Sequence, residues 1–328
     1  MSDAVTQIHQ QISIRVAEPA DAATLFQLVC SLAEYENLLH EVTGSAEALK
    51  EHLFGAHPYA EALLAEVDGT TAGFALFFPT YSPILGKPSF YLEDLFVQSR
   101  YRGQGVGKAL LQHLATLARD RHCGQLEWSV LDWNEPAIAF YRRIGAKLLD
   151  TVRVCRVAGA SLSNLASGTA QSVRFATVAD VPELFALVRA NADYHHMSAN
   201  FTATPERLTQ ALFGSHPFAE AVVAERNGEM AGGALFFHNY STFLIKPGIC
   251  MEDLFVQPNY RRQGVGRELL TYLAQQALSR QCGRLEWLVQ QWNSDAVAFY
   301  QHLGAVILVD WRICCLDQEA IAALAASR

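Results

Sequence analysis

No apolar run in this 328-residue chain approaches the roughly 18–20 residues that a membrane-spanning helix needs. The start MSDAVTQIHQQ also lacks the charged-then-apolar plan of a secretory leader. No membrane partner is expected, and a cytoplasmic location is. Charge is scarce, at 18% of residues, and shows no basic excess. A net charge of −8 argues against a nucleic-acid surface and suits a cationic small molecule instead. The seven cysteines form no CxxC pair and are odd in number, so they read as reduced thiols rather than as a disulfide or metal framework. Cys314 and Cys315 would alternate faces on a strand, which fits buried thiols. His195-His196 has no companion ligands, and no metal site is expected.

What the chain does contain is a second copy of itself. EDLFVQSRYRGQGVG at Glu93 to Gly107 returns as EDLFVQPNYRRQGVG at Glu252 to Gly266, an offset of 159 residues. The same offset aligns Cys123 to Ala146 with Cys282 to Ala305, matching CG-x-LEW and then WN, AFY and GA, and aligns HLFGAHP with ALFGSHP. A period this long exceeds that of solenoid repeats, so each copy should bury its own core as a domain. The shared residues are Gly, Arg, Trp, Asn and Tyr at loop-like places, not interchangeable aliphatics, which points to a retained site.

The uncharged stretch from Val157 to Ser172, rich in Ala, Ser and Gly, reads as a flexible connector. It sets domains at 1–157 and 172–328 with a linker at 158–171. Within each half the pattern is mixed α/β. Ile12 to Val16 alternates as a first strand, and Asp21 or Asp180 can cap the next helix, with Asp180 and Glu183 at capping-box spacing. Ala60 to Val67 and Ala72 to Phe78 form an expected hairpin around Asp68-Gly69, followed by a longer strand from Phe90 to Val97. Leu110, Leu111, Leu114, Leu117 and Ala118 share one helical face. Leu126 to Val130 is a buried strand, Asn134 caps a helix opened by Glu135-Pro136, and Lys147 to Val157 should close the sheet.

Chemistry begins at Arg102-Gly103-Gln104-Gly105-Val106-Gly107, a strand-to-helix junction. Glycines there allow a tight turn that presents several backbone N–H groups, and the helix N-terminus adds partial positive charge, so a pyrophosphate can be cradled. Spacing excludes two rival phosphate loops: Arg102 and Ala109 break a Walker A pattern, and Lys108 occupies the third glycine of a dinucleotide fingerprint. Glycine turns before helices are often structural only. The recurrence of Arg261, Gly264 and Gly266 favours a phosphate site.

R-x-x-G-x-G after a strand, with Asn134 and Tyr141 downstream in WNEPAIAFYRRIGA, resembles the GNAT superfamily of acyl-CoA N-acyltransferases. YLEDLFV, YRGQGVGKALL and WNEPAIAFY are most similar to its diamine acetyltransferase branch, the spermidine/spermine N-acetyltransferases and their thialysine-acetylating relatives. The resemblance implies two tandem α/β (α+β) domains, each a mixed twisted sheet flanked by helices, with acetyl-CoA as cosubstrate. It implies that the backbone of Leu95, Phe96 and Val97 pairs with the pantetheine arm and that Arg102, Gly103, Gln104, Gly105, Val106, Gly107 and Lys108 hold the pyrophosphate. Asn134 would touch the cofactor and Tyr141 protonate the departing thiolate. Glu93 and Asp94, with Tyr35 and Glu36, match positions that contact or deprotonate the amine. The second-half equivalents are Leu254, Phe255 and Val256; Arg261, Arg262, Gln263, Gly264, Val265, Gly266 and Arg267; Asn293, Tyr300, Glu252, Asp253, Tyr194 and His195.

The residues themselves support these roles. An alkylammonium must lose a proton before it attacks a thioester, and a carboxylate can take it. Glu93 and Asp94 are adjacent, so on a regular strand only one should line a given pocket. Tyr141 is either an acid for the leaving group or a core aromatic. His57 and His216, beside prolines, read as loop packing.

The copies also differ. Arg262 replaces Gly103, Asp295 replaces Pro136, His195 replaces Glu36, and Gln290-Gln291 replaces Leu131-Asp132, so the second pocket is expected to be less acidic. Trp311 replaces Val152 on the closing strand. Diamine acetyltransferases of this branch are homodimers, so the tandem chain is expected to form an internal pseudo-dimer in which Trp311 completes the first half's acceptor pocket. The expected activity is acetyl transfer to a primary amine, namely a polyamine, a diamine or an amino-acid side chain. Aminoglycoside or peptide acetylation, or acyl-CoA sensing without turnover, would also use these motifs.

Overall fold

The computed structural model describes residues 11–327, and most of the polar N-terminal stretch lies outside them. The first copy runs β1 (Ile12–Val16), α1 (Ala22–Tyr35), α2 (Ala46–Phe54), β2 (Glu61–Val67), β3 (Thr70–Ser82), β4 (Lys87–Val97), α3 (Val106–Asp120), β5 (Gln125–Leu131), α4 (Glu135–Arg143), β6 (Lys147–Leu149), β7 (Val152–Ala158) and α5 (Gly159–Ala166). The second repeats it: β8 (Val173–Phe175), α6 (Val181–Tyr194), α7 (Pro205–Phe213), β9 (Glu220–Arg226), β10 (Glu229–Ser241), β11 (Lys246–Val256), α8 (Val265–Ser279), β12 (Arg284–Gln290), α9 (Ser294–His302), β13 (Val306–Leu308), β14 (Trp311–Asp317) and α10 (Gln318–Ala326).

Local signals explain most of these elements. Asp68 and Gly69 both take positive φ, 49° and 75°, the backbone that a two-residue hairpin between β2 and β3 requires. Asn134 caps α4 by accepting from the Ala137 N–H at 3.3 Å. Asp180 behaves differently from its expected Glu183 pairing. Its carboxylate accepts from the Thr177 N–H and hydroxyl and pairs with Arg174 at 2.8 Å, so the capping box forms one turn earlier.

Two mixed seven-stranded sheets result, in the orders β1-β2-β3-β4-β5-β14-β6 and β13-β7-β12-β11-β10-β9-β8. Each half therefore gives its closing strand to the other. β14 inserts between β5 and β6, with Trp311 opposite Leu131 and Asp317 opposite Gln125. β7 inserts between β12 and β13, with Gln290 opposite Val152 and Arg284 opposite Ala158. The expectation that Lys147 to Val157 closes the first sheet holds only for β6. Alternating apolar residues specify a strand but not which sheet accepts it.

The connector is likewise structured. Residues 159–166 form α5, whose Leu162 and Leu165 are buried in the second half's core beside Leu269 and Leu273 of α8. Small uncharged residues suit close helix packing as well as they suit a flexible chain. In reciprocal fashion, Ile321 and Leu324 of α10 enter the first half's core with Leu110 and Leu114 of α3. The halves are thus intertwined. Truncating Ile321 to Ala should cost about 2–5 kcal/mol. Hydrogen exchange should accelerate in α3, over a hundred residues away in sequence; acceleration confined to α8 and β12 would contradict the exchange.

Candidate active site

The two central strands of each sheet part company. β4 pairs with β5 in parallel only from Phe90 to Leu92, opposite Leu126 to Trp128. Beyond Leu92 the β4 edge facing β5 has no strand partner, so backbone groups of Leu95 to Val97 open into a wedge. β11 and β12 part similarly after Met251 opposite Trp287.

A bulge sits at the opening. Against β3, Leu76 pairs with Asp94 while Phe77 pairs with Leu92, leaving Glu93 as the extra residue. Glu252 is the extra residue in the same place on β11. The bulge cancels strict alternation, so Glu93 and Asp94 both line one cavity; the expectation that only one would do so assumed a regular strand.

At the wide end lies the glycine turn. Gly103 and Gly105 take φ of 74° and 90°, and Gly105 is the left-handed residue that starts α3. Arg102 braces the turn, donating from Nε to the Val97 carbonyl at 2.9 Å while its guanidinium lies 4.3 Å from the centre of the Tyr35 ring. Gly107 is different. Its φ is ordinary, and a Cβ there would meet nothing closer than 3.7 Å, so the protein's own packing does not require glycine. Glycine inside a helix is about 0.5–1 kcal/mol less stable than alanine. Its presence fits close approach of a ligand to the helix start, where the first N–H groups lack intrahelical acceptors.

A cavity of about 860 Å³ runs from this turn into the interface between the halves. Gly103, Gly105, Gly107, Lys108, Asn134 and Tyr141 line its first part. Glu36, Glu93 and Asp94 line the next, and Asn239, Arg284 and Glu286 from the second half wall its far end. Trp311 also lines it, because β14 lies in the first sheet. The second half's glycine turn does not open on this cavity.

Electrostatics mark the cavity as unusual. Burial, with the Glu93 charge nearby, pushes the Glu36 carboxyl up to about 7. Burial and then Glu93 push Asp94 well above the carboxylate range. Glu93 is raised by burial, against the pull of Arg284 at 3.1 Å. Tyr141 is raised by burial and packs edge-on against Trp128 at 5.0 Å, so its phenol stays protonated. Burial and then Glu127 push the Glu252 carboxyl well above the carboxylate range, although part of its surface is exposed to the cavity. Six residues that line this space carry a buried polar atom without a hydrogen-bond partner: Tyr81 Oη, Ser89 Oγ, Asp94 Oδ2, Asn239 Oδ1, Arg284 Nε and Trp287 Nε1. Arg284 Nε lies 2.8 Å from Glu286 Oε2 but is poorly aligned with it. Buried polar groups left unpaired cost about 1–3 kcal/mol each, so their concentration fits a polar ligand.

Sequence reasoning reached the wedge, the turn and the carboxylates but missed Arg284, Glu286, Asn239 and Tyr81. A signal was present for one of them: the unmatched position in the repeated CG-x-LEW is Gln125 in the first copy and Arg284 in the second. The second half retains the geometry with altered detail. Asn293 caps α9 and also accepts from the Tyr194 hydroxyl at 3.4 Å, and Trp292 packs on Tyr194 and His195. Tyr300 is buried against Trp287 at 4.8 Å, and Gly264 starts α8 as Gly105 starts α3.

Two parallel strands that splay within each sheet beside a glycine turn at a helix start, with a buried phenol and carboxylates below, define a tandem acyltransferase scaffold. Residues 30–146 and 184–305 both match the acetyltransferase (GNAT) family, and the chain belongs to that family as an N-acetyltransferase. It is 37% identical to a thialysine N-epsilon-acetyltransferase from Bos taurus over 42% of this chain and 84% of that protein. It is 31% identical to an L-ornithine N5-acetyltransferase from Arabidopsis thaliana over 46% of this chain and 86% of that one. A solved tandem GNAT protein from the clavulanic acid biosynthesis pathway shares the fold at 14% identity, with a TM-score of 0.50 over 94% of this chain and 98% of that chain. Among the described residues no helix is long and apolar enough to cross a membrane, and no cluster of potential metal ligands occurs.

Arg262 holds φ at 60°, where its counterpart Gly103 sits at 74°. A side chain in this left-handed region costs about 1–2 kcal/mol. Arg262→Gly should therefore raise the unfolding free energy by about 0.5–1 kcal/mol, after the entropy of a freer unfolded chain is offset. A denaturant midpoint that falls instead would show that the arginine side chain stabilises the turn by more than its strain.

Proposed function

We propose that the chain transfers acetyl from acetyl-CoA to a primary amine within a ternary complex, and that the first half carries the chemistry. The observation that carries this reading is the single cavity joining the first glycine turn to buried carboxylates across the interface. Acetyl-CoA supplies the activated acyl group. The unpaired edge of Leu95 to Val97 suits its amide arm, the N–H groups from Gly103 to Lys108 suit its phosphates, and Asn134 lines the passage between them. Glu36, Glu93 and Asp94 attract the ammonium, and an ionised carboxylate among them accepts its proton as the nitrogen lone pair forms the new amide bond. Tyr141 Oη holds a proton for the sulfur that leaves. Trp311 forms part of the acceptor wall. Thialysine and ornithine, the acceptors named for two relatives, are both amines of this class. The second half, with Leu254 to Val256, Arg261 to Arg267, Asn293, Tyr300, Glu252 and Asp253, binds acetyl-CoA more weakly because Arg262 places a side chain on its turn where Gly103 has none.

Tyr141→Phe removes an acid and almost no volume. In a chain that also carries Tyr300→Phe, turnover should fall by about 10²–10⁴-fold while acetyl-CoA affinity changes little. Unchanged release of free thiol across a panel of amines would refute the role. Gly107→Ala should leave thermal stability unchanged or raised, yet weaken acetyl-CoA binding measured by calorimetry; equal affinity would remove the turn from the binding site.

Glu36 also predicts a pH dependence. Its folded-state pKa lies above its unfolded value, so its contribution to stability is present at low pH and is lost as pH rises from the carboxylate range through about 7. Ionisation over the same window should lower the acceptor KM between about pH 6 and about pH 8. Glu36→Gln should flatten that change, and an unaltered slope would assign it to another group.

A further inference from the structure

The two halves are unlike at their most buried point. Glu93 of β4 meets Arg284 of β12 at 3.1 Å, Arg284 also reaches Glu286 at 2.8 Å, and Glu286 pairs with Arg156 of the exchanged strand β7 at 2.6 Å. The two carboxylates are thereby matched by two guanidiniums. At the pseudo-symmetric place, Glu252 faces Glu127, and the positions of Arg284 and Arg156 are taken by Gln125 and Cys315. Among the described residues neither Glu252 nor Glu127 has a cation within ion-pair distance. The expectation that the second pocket is the less acidic thus fails at this point. It compared residues within one copy, whereas each acceptor end is walled by the other copy.

Arg284 is more than a structural filler. It lines the cavity with its Nε poorly engaged, beside the unpartnered Oδ1 of Asn239, and both side chains are more than nine-tenths buried. A cation held here acts on any charge that enters the cavity, through a medium far less screening than water.

We propose that Arg284 is a selectivity residue supplied across the interface: by compensating Glu93 and Glu286 it makes the first half's acceptor cavity disfavour an amine that carries a second ammonium at its far end. The inference rests on the acetyl-transfer reading of that cavity. A monocationic acceptor needs one carboxylate near the reacting nitrogen, and Glu36 remains for it. A dication brings its far charge towards a guanidinium, and juxtaposed like charges discriminate strongly.

The test compares pentylamine with 1,5-diaminopentane on the full chain, with Tyr300→Phe present to silence the second half. Arg284→Gln, which restores the residue of the other copy, should raise the kcat/KM ratio of diamine over monoamine by about tenfold or more. Arg284→Lys should keep the original ratio, because it keeps the charge and loses the fork geometry. An equal fall for both amines with Arg284→Gln, or loss of selectivity with Arg284→Lys, would overturn the proposal. Calorimetric binding of the same two amines reports the ratio without turnover. If neither amine is acetylated by the parent chain while the binding ratio still shifts, the catalytic reading fails and the selectivity role stands.

Discussion

The exchange of closing strands is the constraint on which the rest of the molecule depends. β7 and β14 each complete a sheet made otherwise by the opposite copy, and α5 and α10 follow them into the opposite cores. Neither sheet can be whole while the other is absent. The exchange also brings the faces of the two sheets together, so polar residues that would be solvated on a lone domain become the far wall of a cavity.

Buried charge is tolerated there because it is organised. Arg284, Glu93, Glu286 and Arg156 form a chain of ion pairs in which no member stands alone, although desolvation makes such a chain a weak source of stability. The charges are therefore better explained by what they do to a ligand than by what they add to folding. Asp94 and Tyr81 make the same point, since each leaves a buried polar atom without a protein partner.

Duplication within one chain permits this asymmetry. In a symmetric homodimer any change at one acceptor wall appears at both. A fused pair can place arginine on one side and glutamine on the other, or Trp311 against Val152, and tune two sites separately. The strained Arg262 and the His195 that faces Trp292 indicate that the second copy has moved further from the shared plan.

The sequence by itself determined the duplication, the α/β class, the glycine turn, the Asn134 cap and the identity of the carboxylates and phenol that line the first-half cavity. Those features rest on short-range rules: φ above zero calls for glycine, a helix start calls for a side-chain acceptor, and periodicity assigns faces. Tertiary structure alone decided the strand exchange, the ordering of α5, the bulge that turns Glu93 and Asp94 into one cavity, and the placement of Arg284 against Glu93, 191 residues away in sequence. Each depends on which partner a strand edge or side chain meets. An alternating strand carries the same pattern whichever sheet takes it, and a lone change of Gln125 to Arg284 between copies gives no sign of the charge that it will face.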